Sequence, residues 1–176
     1  MLTITEALAE LKTIQKRIEK KRDFILDNIG RPEYMKDPFV ETGGAQETLS
    51  REFQSIKDLE QRTVLIRSSV LSKNLSTDLE VCGQVRPIQD WLTWRKEVSG
   101  GCKSFLSRIV KRITEGRQEA AKRGSAVSES GGTSPNDLVL HVSEVPTREE
   151  LEKIEEILGE LDGKLSLINA RTMVDV

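Results

Sequence analysis

Leu151, Ile154, Leu158, Leu161, Leu165 and Ile168 recur at alternating steps of three and four residues. That spacing draws one apolar line along an α-helix, a line that another helix must cover. A chain built on such a seam is constrained to long helices lying side by side. The flanking run EELEKIEEILGE, residues 149–160, sets Glu149, Glu150, Glu152, Glu155, Glu156 and Glu160 off the seam, as a solvated acidic surface.

Three earlier segments carry weaker forms of the same rhythm. Thr3 and Glu6 have the spacing of a capping box. After them Ile4, Leu11, Ile18 and Ile25 form one line of a helix, and Ala7, Ile14, Lys21 and Asn28 the other, until Gly30 and Pro32 stop it. Residues 30–44, with two prolines and three glycines, cannot be helical throughout. Tyr34, Met35, Phe39 and Val40 predict that this loop packs on the helices or a neighbouring subunit, with a free solvated loop the alternative. A second helix is expected from about Ala45 to Lys73, with Asn74 as its stop. LEVCGQV, residues 79–85, reads as a short hairpin or extended connector.

A third helix starts near Pro87 and keeps the rhythm through Ile88, Trp91, Val98, Cys102, Phe105 and Ile109. Gly100 and Gly101 predict a kink or a close backbone approach. The small, polar segment 124–137 reads as a linker or disordered loop. LVLHV, residues 138–142, is a strand candidate, and 79–85 is the best edge for it. Thr147 and Glu150 suggest a second capping box before the last helix, which runs to about Arg171.

Composition narrows the function classes. The chain of 176 residues is 36% hydrophobic and 32% charged but only 4% aromatic, which suits narrow-striped helices better than a thick core. A net charge of −2 argues against a protein that coats DNA or an anionic membrane over its whole surface. No stretch approaches the roughly 20 apolar residues of a membrane span. MLTITEALAELK lacks the basic start and apolar run of a signal peptide. Cys82 and Cys102 match no metal or redox spacing and read as free thiols. The expectation is a protein of the cytoplasm, or of a particle assembled there, and not a secreted one.

No cofactor or metal set is legible. His141 is the single histidine, there is no Glu-x-x-His pair for a carboxylate-bridged metal centre, and there is no phosphate-binding glycine loop. Gly159 and Gly163, four apart beside the last seam, permit backbone approach. Between Lys103 and Arg123 seven basic residues face only Glu115 and Glu119. Arg108, Lys111 and Arg112 on this stretch are the candidates for phosphate contacts. The competing reading pairs this basic helix with the acidic last helix. Trp91 and Trp94, three apart, share a side of the third helix, where core packing is the default reading and an interface anchor the alternative; Tyr34 and Phe39 are the other candidate anchors.

Residues 5–20, TEALAELKTIQKRIEK, and 70–98, VLSKNLSTDLEVCGQVRPIQDWLTWRKEV, resemble the septicolysin-like small helical proteins of bacteria and phages. In the second stretch a helix, Asn74 and Thr77, a short extended turn and a helix with Trp91 and Arg95 follow the group's order. The resemblance implies an antiparallel helical bundle with a small β-hairpin that assembles as an oligomer. It carries over no catalytic residues.

The fold expected is an elongated, mainly α, antiparallel bundle or coiled coil of about four helices, with a small two-stranded element from 79–85 and 138–142. Its parts are 1–123 (helical hairpin and third helix), the linker 124–137, and 138–176 (strand and last helix). The function expected is non-enzymatic: a structural or assembly protein that binds copies of itself, plausible as a bacteriophage virion or prophage component contacting other virion proteins. A nucleic-acid-binding or regulatory module using residues 103–123 is the alternative, and no membrane partner is expected.

Overall fold

The computed structural model describes residues 1–129, 131 and 134–175. Four long helical stretches dominate it. They are α1 (Ile4–Asp27), α2 (Ala45–Ser76), a third made of α3 (Ile88–Thr93), a π-helical turn (Trp94–Ser99) and α4 (Gly100–Arg123), and α5 (Glu144–Arg171). Short strands β1 (Leu2–Thr3), β2 (Asp78–Val81), β3 (Gln84–Pro87), β4 (Val127–Ser128), β5 (Leu138–Val139) and β6 (Met173–Val174) form three two-stranded pairs. The mainly α class with small β elements is the class that the periodicity predicts. The chain divides into two compact units, Met1–Asn74 with Ser166–Val176, and Leu75–Leu165. Both divisions fall inside helices, α2 and α5.

In the first unit α1 and α2 are antiparallel, with Glu10 paired to Arg62 at 2.8 Å and Lys21 to Glu52 at 2.5 Å. The capping box forms: Thr3 Oγ1 accepts from the Glu6 amide at 3.2 Å, and Glu6 Oε2 accepts from the Thr3 amide at 2.8 Å. Ile4, Ala7, Ile14, Ile18 and Ile25 of α1 pack with Ile56 and Ile66 of α2 and Val174 of β6. Where the second line of α1 turns polar, at Lys21, its ammonium meets the Glu52 carboxylate of α2. β1 and β6 pair antiparallel, Leu2 opposite Val174. Asp37 organises the loop 30–44: its carboxylate accepts from the Phe39 amide at 2.9 Å and from the Ala45 amide at 2.8 Å, capping α2. Helix α2 runs on through the expected stop; Asn74 is buried inside it, its Oδ1 without a hydrogen-bond partner among the described residues.

The second unit corrects the strand pairing. β2 folds back on β3, Leu79 opposite Arg86 and Val81 opposite Gln84, while β5 pairs in parallel with β4, Val127 opposite Leu138. Residues 79–85 and 138–142 therefore do not pair with each other. The reason is local: Cys82 at φ 47° and Gly83 at φ 74° make a two-residue turn whose twist matches its strands. Pairing with the adjacent residues closes a loop of two, far less costly than one of more than fifty.

Segment 124–137 is also more ordered at its ends than a linker. Asp137 accepts from the Ala126 amide at 3.1 Å and the Ser134 amide at 2.8 Å, and Leu138 donates to the Ala126 carbonyl at 2.9 Å. Residues 130, 132 and 133 of that segment lie outside the described residues. β5 sits close on α4, because a Cβ on Gly116 would stand 3.1 Å from Leu138 Cδ2.

Two helix expectations change as well. The second capping box does not form: α5 begins at Glu144, and the Thr147 hydroxyl donates to the Ser143 carbonyl at 2.7 Å. Pro146 lies in the first turn, where no intrahelical N–H is required, so the helix starts before it. At Gly100 and Gly101 the helix continues and nothing stands within 4 Å of either Cβ position. The irregular turn is the π-helical one just before them, which absorbs an extra residue. α5 lies antiparallel to the third helical stretch, with Arg95 paired to Asp162 at 2.5 Å, Lys103 to Glu155 at 2.7 Å, and Arg117 to Glu144.

Candidate functional site

The six seam residues of α5 are all covered to some degree. Leu161 and Leu165 are buried, and Leu151, Ile154, Leu158 and Ile168 are half-buried. The seam is used inside the chain, and the ion pairs with the basic helix lie along its flanks. This is the pairing that competed with phosphate binding in the sequence. It engages Lys103 and Arg117 and leaves Arg108, Lys111 and Arg112 for other uses.

The four aromatic candidates separate. Trp91 is 1% exposed, donates its indole N–H to the Leu79 carbonyl at 2.9 Å, meets Trp94 edge-on at 6.0 Å, and carries the Arg86 guanidinium 5.0 Å from its ring centre. It fastens the β2–β3 hairpin to α3. Trp94 is half-buried beside it. Phe39 packs edge-on against Phe24 of α1 at 5.7 Å and pins the loop. Tyr34 is 83% exposed and is the free aromatic of that loop.

Arg108, Lys111 and Arg112 project from α4. Lys111 and Arg112, 75% and 85% exposed, share one carboxylate, Glu115, at 3.8 and 3.4 Å. Arg108 has no ion-pair partner among the described residues. Arg108 and Arg112 rim a cleft of about 450 Å³ between α4 and residues 139–142, floored by Phe105, Ile109, Ile113, Leu140 and Val142. His141 lies on the same rim, exposed. Sequence reasoning found the basic residues without the cleft, since residues 138–142 were assigned a different partner.

One polar cluster escaped the sequence altogether. The hairpin turn places the Cys82 amide and thiol against Glu160 of α5, each donating to Oε2 at 2.9 Å. Lys164 pairs with Glu160 at 2.6 Å and donates to the Glu80 carbonyl at 2.6 Å. The Cys82 thiol, then Lys164 and the Cys82 amide, hold Glu160 down to about 2. The carboxylate in turn pushes the thiol up to about 11. A thiol so held is a hydrogen-bond donor and a poor nucleophile. The available signals were the Cys-Gly turn and the four-residue spacing of Glu160 and Lys164. Among the described residues, no three His, Cys, Asp or Glu side chains gather where they would hold a metal ion. No described helix is long and apolar enough to cross a membrane.

No protein-family model, curated protein or solved structure matches this chain.

Proposed function

We propose that this protein is a non-enzymatic assembly protein that forms a homo-oligomer of helical bundles, and that it serves as a virion or prophage-encoded component of a bacteriophage. In this reading it is made in the cytoplasm and meets other virion proteins there. The observation that carries the reading is the apolar surface left on the helices once the chain's own seams are filled. Leu8 of α1 and Phe53, Val64 and Leu65 of α2 are exposed, as are Phe105 of α4 and Val145 of α5. Between α1 and α2 a groove of about 740 Å³ is lined by Leu8, Leu11, Ile18 and Val64 together with polar and charged side chains, Arg22, Glu60 and Arg67 among them. Where such residues adjoin, as Leu8 and Val64 do along this groove, they favour contact with another protein surface. The element order across residues 70–98, helix, hairpin and helix with Trp91 and Arg95, is the order on which kinship with the septicolysin-like group is proposed.

Light scattering on the purified chain tests the oligomer: the expected mass is several times 19.8 kDa. A strict monomer at tens of micromolar, a concentration at which a specific interface assembles, defeats the reading. Mass spectrometry of purified particles from the native source tests the virion role, and absence of the chain from them removes it.

The exposure of Lys111 and Arg112, and an Arg108 with no ion-pair partner among the described residues, favour a second reading, binding to nucleic-acid phosphates. Its signature is affinity that falls steeply with salt and a shallower salt slope in R108E/R112E. An unchanged slope rules it out.

A further inference from the structure

We propose that the cleft between α4 and residues 139–142 receives the exposed face of α5 from a second copy of this chain, with Glu149 and Glu152 of that copy meeting Arg108 and Arg112. This rests on the homo-oligomer reading and names its contact surface.

The α5 seam is buried at Leu161 and Leu165 and half-buried elsewhere within its own chain, so the fully exposed surface lies on other faces. The opposite side of α5 carries Val145, Glu149, Glu152 and Glu156, spaced four, three and four residues, which is one narrow stripe of a helix. All four are exposed, Val145 at 63%, and none of the three glutamates has an ion-pair partner among the described residues. The stripe is apolar at one end and acidic beyond it.

The cleft is its complement. Phe105, 63% exposed, stands at one end of its α4 wall, followed by Arg108 and Arg112 at steps of three and four. Two cations, Lys111 and Arg112, share Glu115, and Arg108 has no ion-pair partner among the described residues, so the rim carries a surplus of positive charge. Along the helices Arg108 and Arg112 are about 6 Å apart and Glu149 and Glu152 about 4.5 Å, a mismatch that an arginine side chain spans. Val145 then meets Phe105 and Ile109, removing two exposed apolar groups and a half-buried one from water. Every chain carries both surfaces on its second unit, so the contact either closes as a dimer that uses each surface twice or propagates from copy to copy. The opposite charges select this register over like-charged alternatives.

The test is sedimentation of the full chain at low salt with two charge-reversed forms, R108E/R112E and E149R/E152R. All four positions are solvent-exposed, and an unchanged helical circular dichroism signal confirms that each form folds. Each form alone is expected to self-associate roughly tenfold or more weakly than the wild type. An equimolar mixture is expected to recover assembly, because each reversed surface finds its complement on the other form. Val145→Asp is expected to weaken assembly without altering the rim. Wild-type assembly retained by both reversed forms overturns the proposed surface and leaves the homo-oligomer standing, whereas a monomeric wild type overturns both. If R108E/R112E assembles normally and instead loses affinity for a DNA 20-mer, the cleft belongs to nucleic acid and the proposal fails.

Discussion

Replacing Trp91 by phenylalanine and by alanine separates two contributions that fasten the hairpin to the third helix. The indole donates a buried hydrogen bond to the Leu79 carbonyl at 2.9 Å, and the ring is 1% exposed against Trp94 and Arg86. Counting from the two-residue turn, Leu79 and Arg86 are a hydrogen-bonded pair of the ladder, so the Leu79 carbonyl keeps one partner when the indole is removed. The lost bond is then worth about 1 kcal/mol and not the larger penalty of an orphaned acceptor. Loss of the second ring adds about 1 kcal/mol through incomplete refilling of its space. Trp91→Phe should therefore cost about 2 kcal/mol, and Trp91→Ala about 4 kcal/mol. With a urea slope of about 2 kcal/mol per molar, the midpoints fall by about 1 M and 2 M. Both tryptophans of the chain lie in the second unit, so fluorescence reports the unfolding of that unit. If Trp91→Phe matches the wild type within about 0.5 kcal/mol, the indole hydrogen bond contributes nothing and the account of the hairpin is wrong.

The cluster at the hairpin turn gives a pH dependence with a definite sign. Glu160, lowered from 4.5 to about 2, contributes stability that is present above pH 4.5 and lost as the pH falls toward 2. Cys82, raised from 9.0 to about 11, contributes stability that is present below pH 9 and lost as the pH rises through 11. Glu160→Gln should flatten both limbs in urea titrations, and it should speed iodoacetamide labelling of Cys82 at pH 8. At that pH the native thiol carries about a hundredth of the ordinary thiolate, so equal labelling rates would refute the contact. Gly159 and Gly163 are exposed in α5 with nothing within 4 Å of either Cβ position. Alanine at each should stabilise the chain by about 1 kcal/mol through helix propensity. Destabilisation in thermal melts would mean that another backbone approaches there.

The helices were legible because a three-four rhythm is a local property of the chain. Ile4, Ala7, Ile14, Ile18 and Ile25 fall on the lines drawn for them, and those lines face inward in α1. The Thr3–Glu6 box also needs only residues three apart. The second box, at Thr147 and Glu150, failed because the same spacing occurs wherever a helix has begun earlier, and Pro146 marks a first turn as readily as a boundary. The strand pairing failed because two apolar runs state a preference for extended backbone and no partner. The turn at Cys82–Gly83 decided it, through two left-handed residues that composition did not announce.

By itself the sequence determined that this chain forms long, narrow-striped helices, and that the basic third helix and acidic last helix suit each other. Periodicity and charge order along one helix are enough for that. Only the tertiary structure showed how far the seam from Leu151 to Ile168 is covered by the chain's own helices: fully at Leu161 and Leu165, half at the other four. It also decided which charges remain afterwards: Arg108 beside an apolar cleft, and Glu149, Glu152 and Glu156 on the far face of α5. The physical reason is that pairing is a property of two surfaces. A stripe fixes how a helix can pack, and the charges that packing leaves unpaired depend on which neighbour arrives first.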